Sequence, residues 1–326
     1  MSWFRKKMWL AVENGWSGWI DTPNSGADAS TSGWGTDATF LNGGGYANHT
    51  WDTHKRYTFE WSDASSRQAA QFMQSLRNGA YGKGLIHFIE PTIYDTNILP
   101  ARVAQPSLQV EDGGRPLVYG VNPVIAPTSN WQARSLPVES ARWVLDDVLP
   151  GYRSDEESVY IPIPEGYMLA VGAVYNATGS AGLFLRYGDE DVSVPASAPA
   201  SNMLIQFSDP LYSSDHRVAR LWIGKTGAGA SAIRISAIVA RLIPRNKVFR
   251  RALPGFGYGE QPYGAGPYGG SKLSAAWTAL STAPWIGGMG NSGVRFNGTP
   301  TMIHNTGVNG GQVGYSASFV ETGAWN

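Results

Sequence analysis

Residues 61–91 read WSDASSRQAAQFMQSLRNGAYGKGLIHFIEP, and they decide how the rest of the chain is read. Ala69, Phe72, Met73 and Leu76 recur at i, i+3, i+4 and i+7, which places one apolar stripe along a short helix. Ser62 or Asp63 supplies an N-cap, and Asn78-Gly79 supplies a left-handed stop, so the helix is expected over 63–78. An apolar strand, Leu85 to Ile89, follows at once and ends at Pro91. Most of what flanks this segment reads as strand and turn, so the expected class is mainly β with one helix.

Working outward towards the N-terminus, Trp9 to Val12 opens a strand. Tyr57-Thr58-Phe59-Glu60-Trp61 alternates ring and polar residue, the pattern of a half-buried strand. Between them the Ser25 to Gly45 run is read as turn-like, with Gly43-Gly44-Gly45 as its breaker. Towards the C-terminus, prolines at 91, 100, 106, 116, 123, 127 and 137 suggest a connector between two bodies, with Leu117 to Val121 as a short extended piece. Strand signals then recur at Val159 to Ile163, Met168 to Tyr175, Leu183 to Tyr187, Met203 to Phe207, Ala219 to Ile223 and Ile233 to Leu242. Turns separate them at the spacing of a β-sandwich or jelly roll. A Gly/Tyr/Pro-rich insert covers 253–270, and Val313 to Val320 is a last alternating strand expected to return to the second sandwich. The expected domains are therefore 1–130 and 131–326.

Composition narrows the function. Charged residues are only 15% of 326, below the usual quarter, which fits a surface partly covered by neighbours. Lys plus Arg equals Asp plus Glu at 25 each, so there is no overall basic field for nucleic acid. The absence of cysteine excludes disulfides and thiolate metal sites. No apolar run is long enough for a signal peptide or a membrane span, so synthesis in a cytosol without export is expected. The sequons at Asn48, Asn176 and Asn297 are then chance matches.

Candidate chemistry is sparse. Of the histidines 49, 54, 87, 216 and 304, only His49 and His54 lie close, with Asp52 between them; the spacing is not that of a zinc-binding helix, and a polar loop is the expected reading. Gly264-Ala265-Gly266-Pro267-Tyr268-Gly269 matches a dinucleotide spacing without the required strand and helix, and Gly224-Lys225-Thr226 reads as a hairpin turn. Glu60, Glu90, Glu111, Asp112 and Asp155-Glu156-Glu157 are the carboxylates available for glycosidase work, and no nucleophile elbow occurs. No catalytic residue, metal or cofactor is assigned. Trp277, Trp285, Tyr258, Tyr263 and Tyr268 lie in Gly-rich surroundings where rings can face a glycan or a partner.

The order of these features resembles a known family. The helix around Gln68 to Leu76 leads into Asn78-Gly79, then Gly82, Gly84-Leu85-Ile86-His87-Phe88-Ile89-Glu90-Pro91, Tyr94-Asp95-Thr96-Asn97-Ile98-Leu99-Pro100 and Ala104-Gln105-Pro106. Gly290-Asn291-Ser292-Gly293-Val294-Arg295-Phe296 with Gly298 and Pro300, and the ending Glu321-Thr322-Gly323-Ala324-Trp325, complete the pattern. It is similar to the distal tail (minor tail) proteins of long, non-contractile-tailed actinobacteriophages. The resemblance implies a tail-tube-like N-terminal sandwich that closes into a ring, six copies being expected, and a galectin-like or carbohydrate-module-like C-terminal sandwich. It implies a virion component at the distal end of the tail, made in the host bacterial cytoplasm. Its partners would be copies of itself, the tail tube protein, the tail-tip hub protein and other minor tail or receptor-binding proteins, with a host glycan as a further possible contact. Sequence-specific nucleic-acid binding and membrane insertion are not expected. The alternative is a glycan-binding adhesin that contacts the host wall through the C-terminal sandwich; a wall-degrading enzyme stands third.

Overall fold

A computed structural model describes residues 7–23, 25–39, 45–61, 67–94, 96–109, 124–127, 139–147, 158–187, 190–193, 204–207, 211–212, 218–244, 288–305 and 312–321. In chain order they form β1 (Lys7–Val12), β2 (Ser17–Asp21), β3 (Ser25–Thr39), β4 (Gly45–Trp61), α1 (Arg67–Arg77), β5 (Ile86–Ile89), α2 (Ala101–Ala104), β6 (Val124–Pro127) and β7 (Glu139–Val144). There follow β8 (Val159–Pro162), β9 (Tyr167–Thr178), β10 (Ala181–Tyr187), β11 (Glu190–Ser193), β12 (Leu204–Phe207), β13 (Leu211–Tyr212), β14 (Val218–Lys225), β15 (Ala232–Pro244), β16 (Val294–Phe296), β17 (Thr301–Asn305) and β18 (Gln312–Glu321). The protein is mainly β, in antiparallel sheets, as the sequence pattern predicts.

The chain divides into two compact units, Met1–His87 with Gly293–Gly323, and Phe88–Ser292 with Ala324–Asn326. This departs from the expected parting at 130/131. The first unit holds one sheet in the order β2-β1-β5-β16-β18-β4-β3, with β17 on β18. The last strand therefore does not return to the second unit. β18 lies between β4 and β16, pairing Phe319 with Tyr57 and with Phe296. Rings decide that placement. Phe59 and Phe319 have centroids 5.7 Å apart, and Trp61 stacks on its cross-strand partner Tyr315 at 4.5 Å. Cross-strand aromatic pairs of this kind are the unit of sheet stability, and a one-residue slip would turn them all outward.

The helix forms with its apolar stripe buried at Met73 and Leu76, each side chain contributing about 2 kcal/mol by burial. Its expected N-cap residues, Ser62 and Asp63, lie outside the described residues. Its C-terminus is closed as the sequence predicts. Gly79 takes φ +77°, its N–H reaches the Leu76 carbonyl at 3.0 Å, and the Ala80 N–H reaches the Ser75 carbonyl at 2.9 Å. These two bonds satisfy carbonyls that the helix end would leave open.

Two further expectations are corrected in the first unit. Ser25–Thr39 is strand β3, not turn, and Asn48 to His54 lies within strand β4, not a polar loop. Small polar residues give little periodic signal of their own. Here the backbone ladder to the neighbouring strand sets the conformation, with register shifts between Ser25 and Asp28 and between Thr31 and Gly33.

The second unit contains a four-stranded sheet, β11-β10-β14-β8, and a six-stranded sheet, β12-β9-β15-β7-β6 with β13 on β9. All six strands read from residues 159–242 are present. Alternation sends Leu183, Leu185, Leu221 and Ile223 to a buried face of the first sheet. The second is covered so thoroughly that Val171, Ala173, Val174, Tyr175, Ile235, Ala237 and Ile238 are all fully buried. Burial also raises the Tyr175 phenol well above its ordinary pKa.

The Pro-rich stretch does not act as a connector over its described part. A 3-10 turn at Pro91–Ile93, α2 and a second 3-10 turn at Pro106–Gln109 belong to the second unit, where Ile93, Tyr94, Ile98, Leu99, Val103 and Ala104 are buried. Proline limits ladder donation but does not oppose burial of the apolar residues between prolines. Leu117 to Val121 lies outside the described residues. Gly224-Lys225-Thr226 is likewise not a hairpin turn, because β14 and β15 belong to different sheets. The buried Lys225 ammonium donates to the Asp146 carbonyl at 2.8 Å, and the Thr226 N–H donates to the Ser180 carbonyl at 3.1 Å. That lysine is engaged in closing the crossover.

Candidate assembly surface

The first unit carries a feature that its own sheet does not use up. β3 is the last strand in the sheet order, and it pairs with β4 from Ser25↔Glu60 out to Thr39↔Gly45. β18 covers the other edge of β4 only from Arg56 to Trp61. One residue past the final pair, Arg56↔Val320, the Glu321 carboxylate accepts the Lys55 N–H at 3.2 Å. This contact marks where the sheet ends. From there to the tip, β3 and β4 form a two-stranded ribbon that pairs only with itself among the described residues.

Such a ribbon has a physical cost. A lone two-stranded hairpin is at best marginally stable in water, and its outer edges present rows of N–H and C=O groups ready to pair with another chain. The ribbon is rich in small and polar residues, among them Gly33, Gly35, Thr36, Asp37, Asn48, Thr50 and Asp52, and its large rings are Trp34, Tyr46 and Trp51.

The base from which the ribbon springs is closely packed by aromatic rings. Trp61 donates its indole N–H to the Asp21 carbonyl at 2.9 Å and stacks on Tyr315, whose phenol burial and the nearby Asp21 charge hold well above its ordinary pKa. Trp9 and Trp19, partners across β1 and β2, meet edge to face at 5.0 Å. Trp16, Phe72 and Tyr81 join the helix to the β1–β2 turn with centroids 4.9 to 5.6 Å apart. Within this base, His87 Nε2 lies 2.8 Å from Glu13 Oε1, and both side chains are buried. Their separation of 74 residues hides the pair from sequence reading.

A groove of about 440 Å³ opens beside the helix C-terminus. Its floor is Leu76, Ile86 and Val294, and its rim carries Arg77, Lys83 and Arg295 with no acidic side chain among the lining residues. Its described lining thus sets a basic rim around an apolar floor.

Trp277, Trp285, Tyr258, Tyr263 and Tyr268 lie outside the described residues, as do Gly264 to Gly269, Glu111, Asp112 and Asp155 to Glu157. Glu60 stands exposed on β4, and Glu90 is half-buried at the start of the first 3-10 turn. His49 pairs with Gly35 in the ribbon backbone; the side chains of His49, Asp52 and His54 are not among those described. No group of three or more His, Asp or Glu that could hold a metal occurs among the described residues. No protein-family model matches the chain, and no curated protein does.

Proposed function

We propose that this chain is a structural component of the distal end of a phage tail, a distal tail protein that closes with copies of itself into a ring, six-fold in the expected case. The single observation that carries this reading is the β3–β4 ribbon. A strand pair that leaves its sheet and, among the described residues, pairs on neither outer edge is stabilised when a neighbouring copy supplies a strand or surface. The contact is heterologous, ribbon against a different face of the next copy, the type of interface that closes into a ring when its rotation divides a full turn.

The remainder of the reading follows from this. The first unit is the tail-tube-like body and the second is a β-sandwich whose layers are the four- and six-stranded sheets. The buried rows of β10 and β14 and of β9 and β15 supply its core. The ring joins the tube protein to the tip hub and peripheral host-recognition proteins. The low charge of the chain fits a surface spent in such contacts. Native mass spectrometry of the purified chain, alone and mixed with its tube protein, tests the proposal. Closed six-fold species are expected. A stable monomer that never joins the tube, or turnover of a wall polymer by a single copy, would overturn it.

A further inference from the structure

The groove beside the helix C-terminus is an opening in the first sheet. β5 and β16 pair antiparallel at one position, Val294↔Ile86. Two steps further, the same ladder would set Phe296 opposite Gly84. Instead each side is held to a different neighbour. The Glu13 N–H donates to the Leu85 carbonyl and the Trp16 N–H to the Tyr81 carbonyl, both at 2.9 Å, which ties residues 81–85 to the β1–β2 hairpin. Across the gap the Asn297 N–H donates to the Ser318 carbonyl at 2.8 Å, which ties the end of β16 to β18. Gly82, Lys83 and Gly84 form one wall of the groove, and Arg295, Phe296 and Gly298 form the other.

This opening presents main-chain polar groups. In an antiparallel strand the N–H and C=O of one residue point to the same side, and the side alternates from residue to residue. Asn297 is turned to β18, so Phe296 turns its N–H and carbonyl towards the groove. Among the described residues no strand pairs with it there. A free stretch of edge of this kind is a template for an added strand. The floor beneath is made by Leu76, Ile86 and Val294, so a side chain turned inward from an added strand should be apolar.

The rim selects charge. Arg77, Lys83 and Arg295 are all exposed, and they come from three separate segments. Arg77 sits in the last turn of α1, where a cation also favours the helix dipole. Lys83 and Arg295 have no such duty. The chain as a whole carries no net charge, so this concentration is local. Three like charges around one opening repel each other, and carboxylates brought between them relieve that repulsion while forming charge-assisted hydrogen bonds. The volume of about 440 Å³ accommodates a short stretch of extended chain.

We propose that this groove receives an extended acidic segment of a partner protein. The segment pairs its backbone with Phe296, turns apolar side chains to the floor and sets carboxylates against Arg77, Lys83 and Arg295. Fluorescence anisotropy of the full chain with a short fluorescein-labelled peptide alternating Glu and Val, at an ionic strength of about 0.15 M, tests this. Its affinity is expected to exceed that of a Lys-Val counterpart by about tenfold or more. Arg295→Glu and Lys83→Glu should each weaken binding by about tenfold, since each sets a like charge against the peptide. Arg142→Glu makes the same change of net charge in the second unit, outside the groove lining, and should leave binding within about twofold. All three variants change exposed side chains and should melt with the parent. N-methylation of alternate peptide residues removes the backbone donors and should weaken binding by about tenfold. No binding of the Glu-Val peptide, or undiminished binding by Arg295→Glu and Lys83→Glu, would overturn the proposal. An equal loss in Arg142→Glu would reduce it to diffuse attraction, and full binding of the N-methylated peptide would overturn the strand pairing. Tighter binding of an oligothymidylate of matched charge would overturn the choice of a protein partner. Anisotropy reads peptide binding in any state of assembly, so its outcome leaves the ring proposal to its own test.

Discussion

Asn97 stands beside Ala240 as a strand of one residue. β7 pairs with β15 only from Ala232 to Ile235, and the edge of β15 beyond that point would be open. The fully buried Asn97 carboxamide fills it: Nδ2 donates to the Ile238 carbonyl at 2.9 Å, and Oδ1 accepts the Ala240 N–H at 3.0 Å. The Ile98 N–H then reaches the Ala240 carbonyl at 3.0 Å, and the Met289 N–H reaches the Asn97 carbonyl at 2.8 Å. One side chain imitates a peptide unit and ties residues 96–99 to β15 and to the segment at 288–292.

Asn97→Ala should therefore destabilise the second unit by about 2–4 kcal/mol, since a buried donor and a buried acceptor both lose their partner. Asn97→Asp should be at least as damaging, because an ionised carboxylate cannot donate to the Ile238 carbonyl. Urea denaturation followed by circular dichroism measures both. A change under 0.5 kcal/mol in either variant would contradict the geometry.

Stability should fall in alkaline solution for a reason traceable to Tyr175 and Tyr315. Burial raises both phenols above their ordinary pKa, so the native state keeps protons that the unfolded chain releases. Their contribution is complete below the unfolded phenol pKa of about 10 and is lost as the pH climbs above it. Melting curves between neutral pH and pH 11 should show the loss. Tyr315→Phe should make the decline shallower; an unchanged slope would remove Tyr315 from the account.

Two glycines near the helix end should respond differently to alanine. At Gly79 the added methyl has room, with its nearest neighbour, Lys83 Cγ, at 3.5 Å, so the cost is that of a left-handed backbone alone, about 1–2 kcal/mol. At Gly84 it would lie 2.4 Å from the Glu13 carbonyl oxygen, so backbone must move and the cost should be larger. Thermal melts rank the two variants, and the reverse order would sink this reading.

The ribbon should be separable from the fold that bears it. Thr36→Pro, opposite Asn48, removes a ladder donor far from the aromatic base. It should leave the melting temperature of the chain within about 2 °C while abolishing higher-order species in native mass spectra. If those species survive, the ribbon is not the assembly element.

Local pattern made the helix, its Gly79 stop, β5 and the strands β8, β9, β10, β12, β14 and β15 legible, because each has a local cause; the short β11 and β13 carried no such signal. The alternation at 57–61 and 313–320 announced two strands equally well. What it left open was their meeting. Phe59 and Phe319 choose each other across 260 residues by ring packing, and no local signal records this. The same limit applies to β3 and to β4 before Tyr57, whose small polar residues carry no period, and to residues 91–109, where prolines drew attention away from a buried Asn97.

The amino-acid sequence by itself determined that this protein is built of β-strands with one capped amphipathic helix, since side-chain periodicity and turn chemistry act within a few residues. Only the tertiary structure decided that the last strand lies within the first sheet, that a ribbon runs past the end of that sheet, and that Phe184 stacks on Trp222 across two strands. Those outcomes depend on which surfaces meet, and burial and pairing energies are properties of pairs distant in the chain.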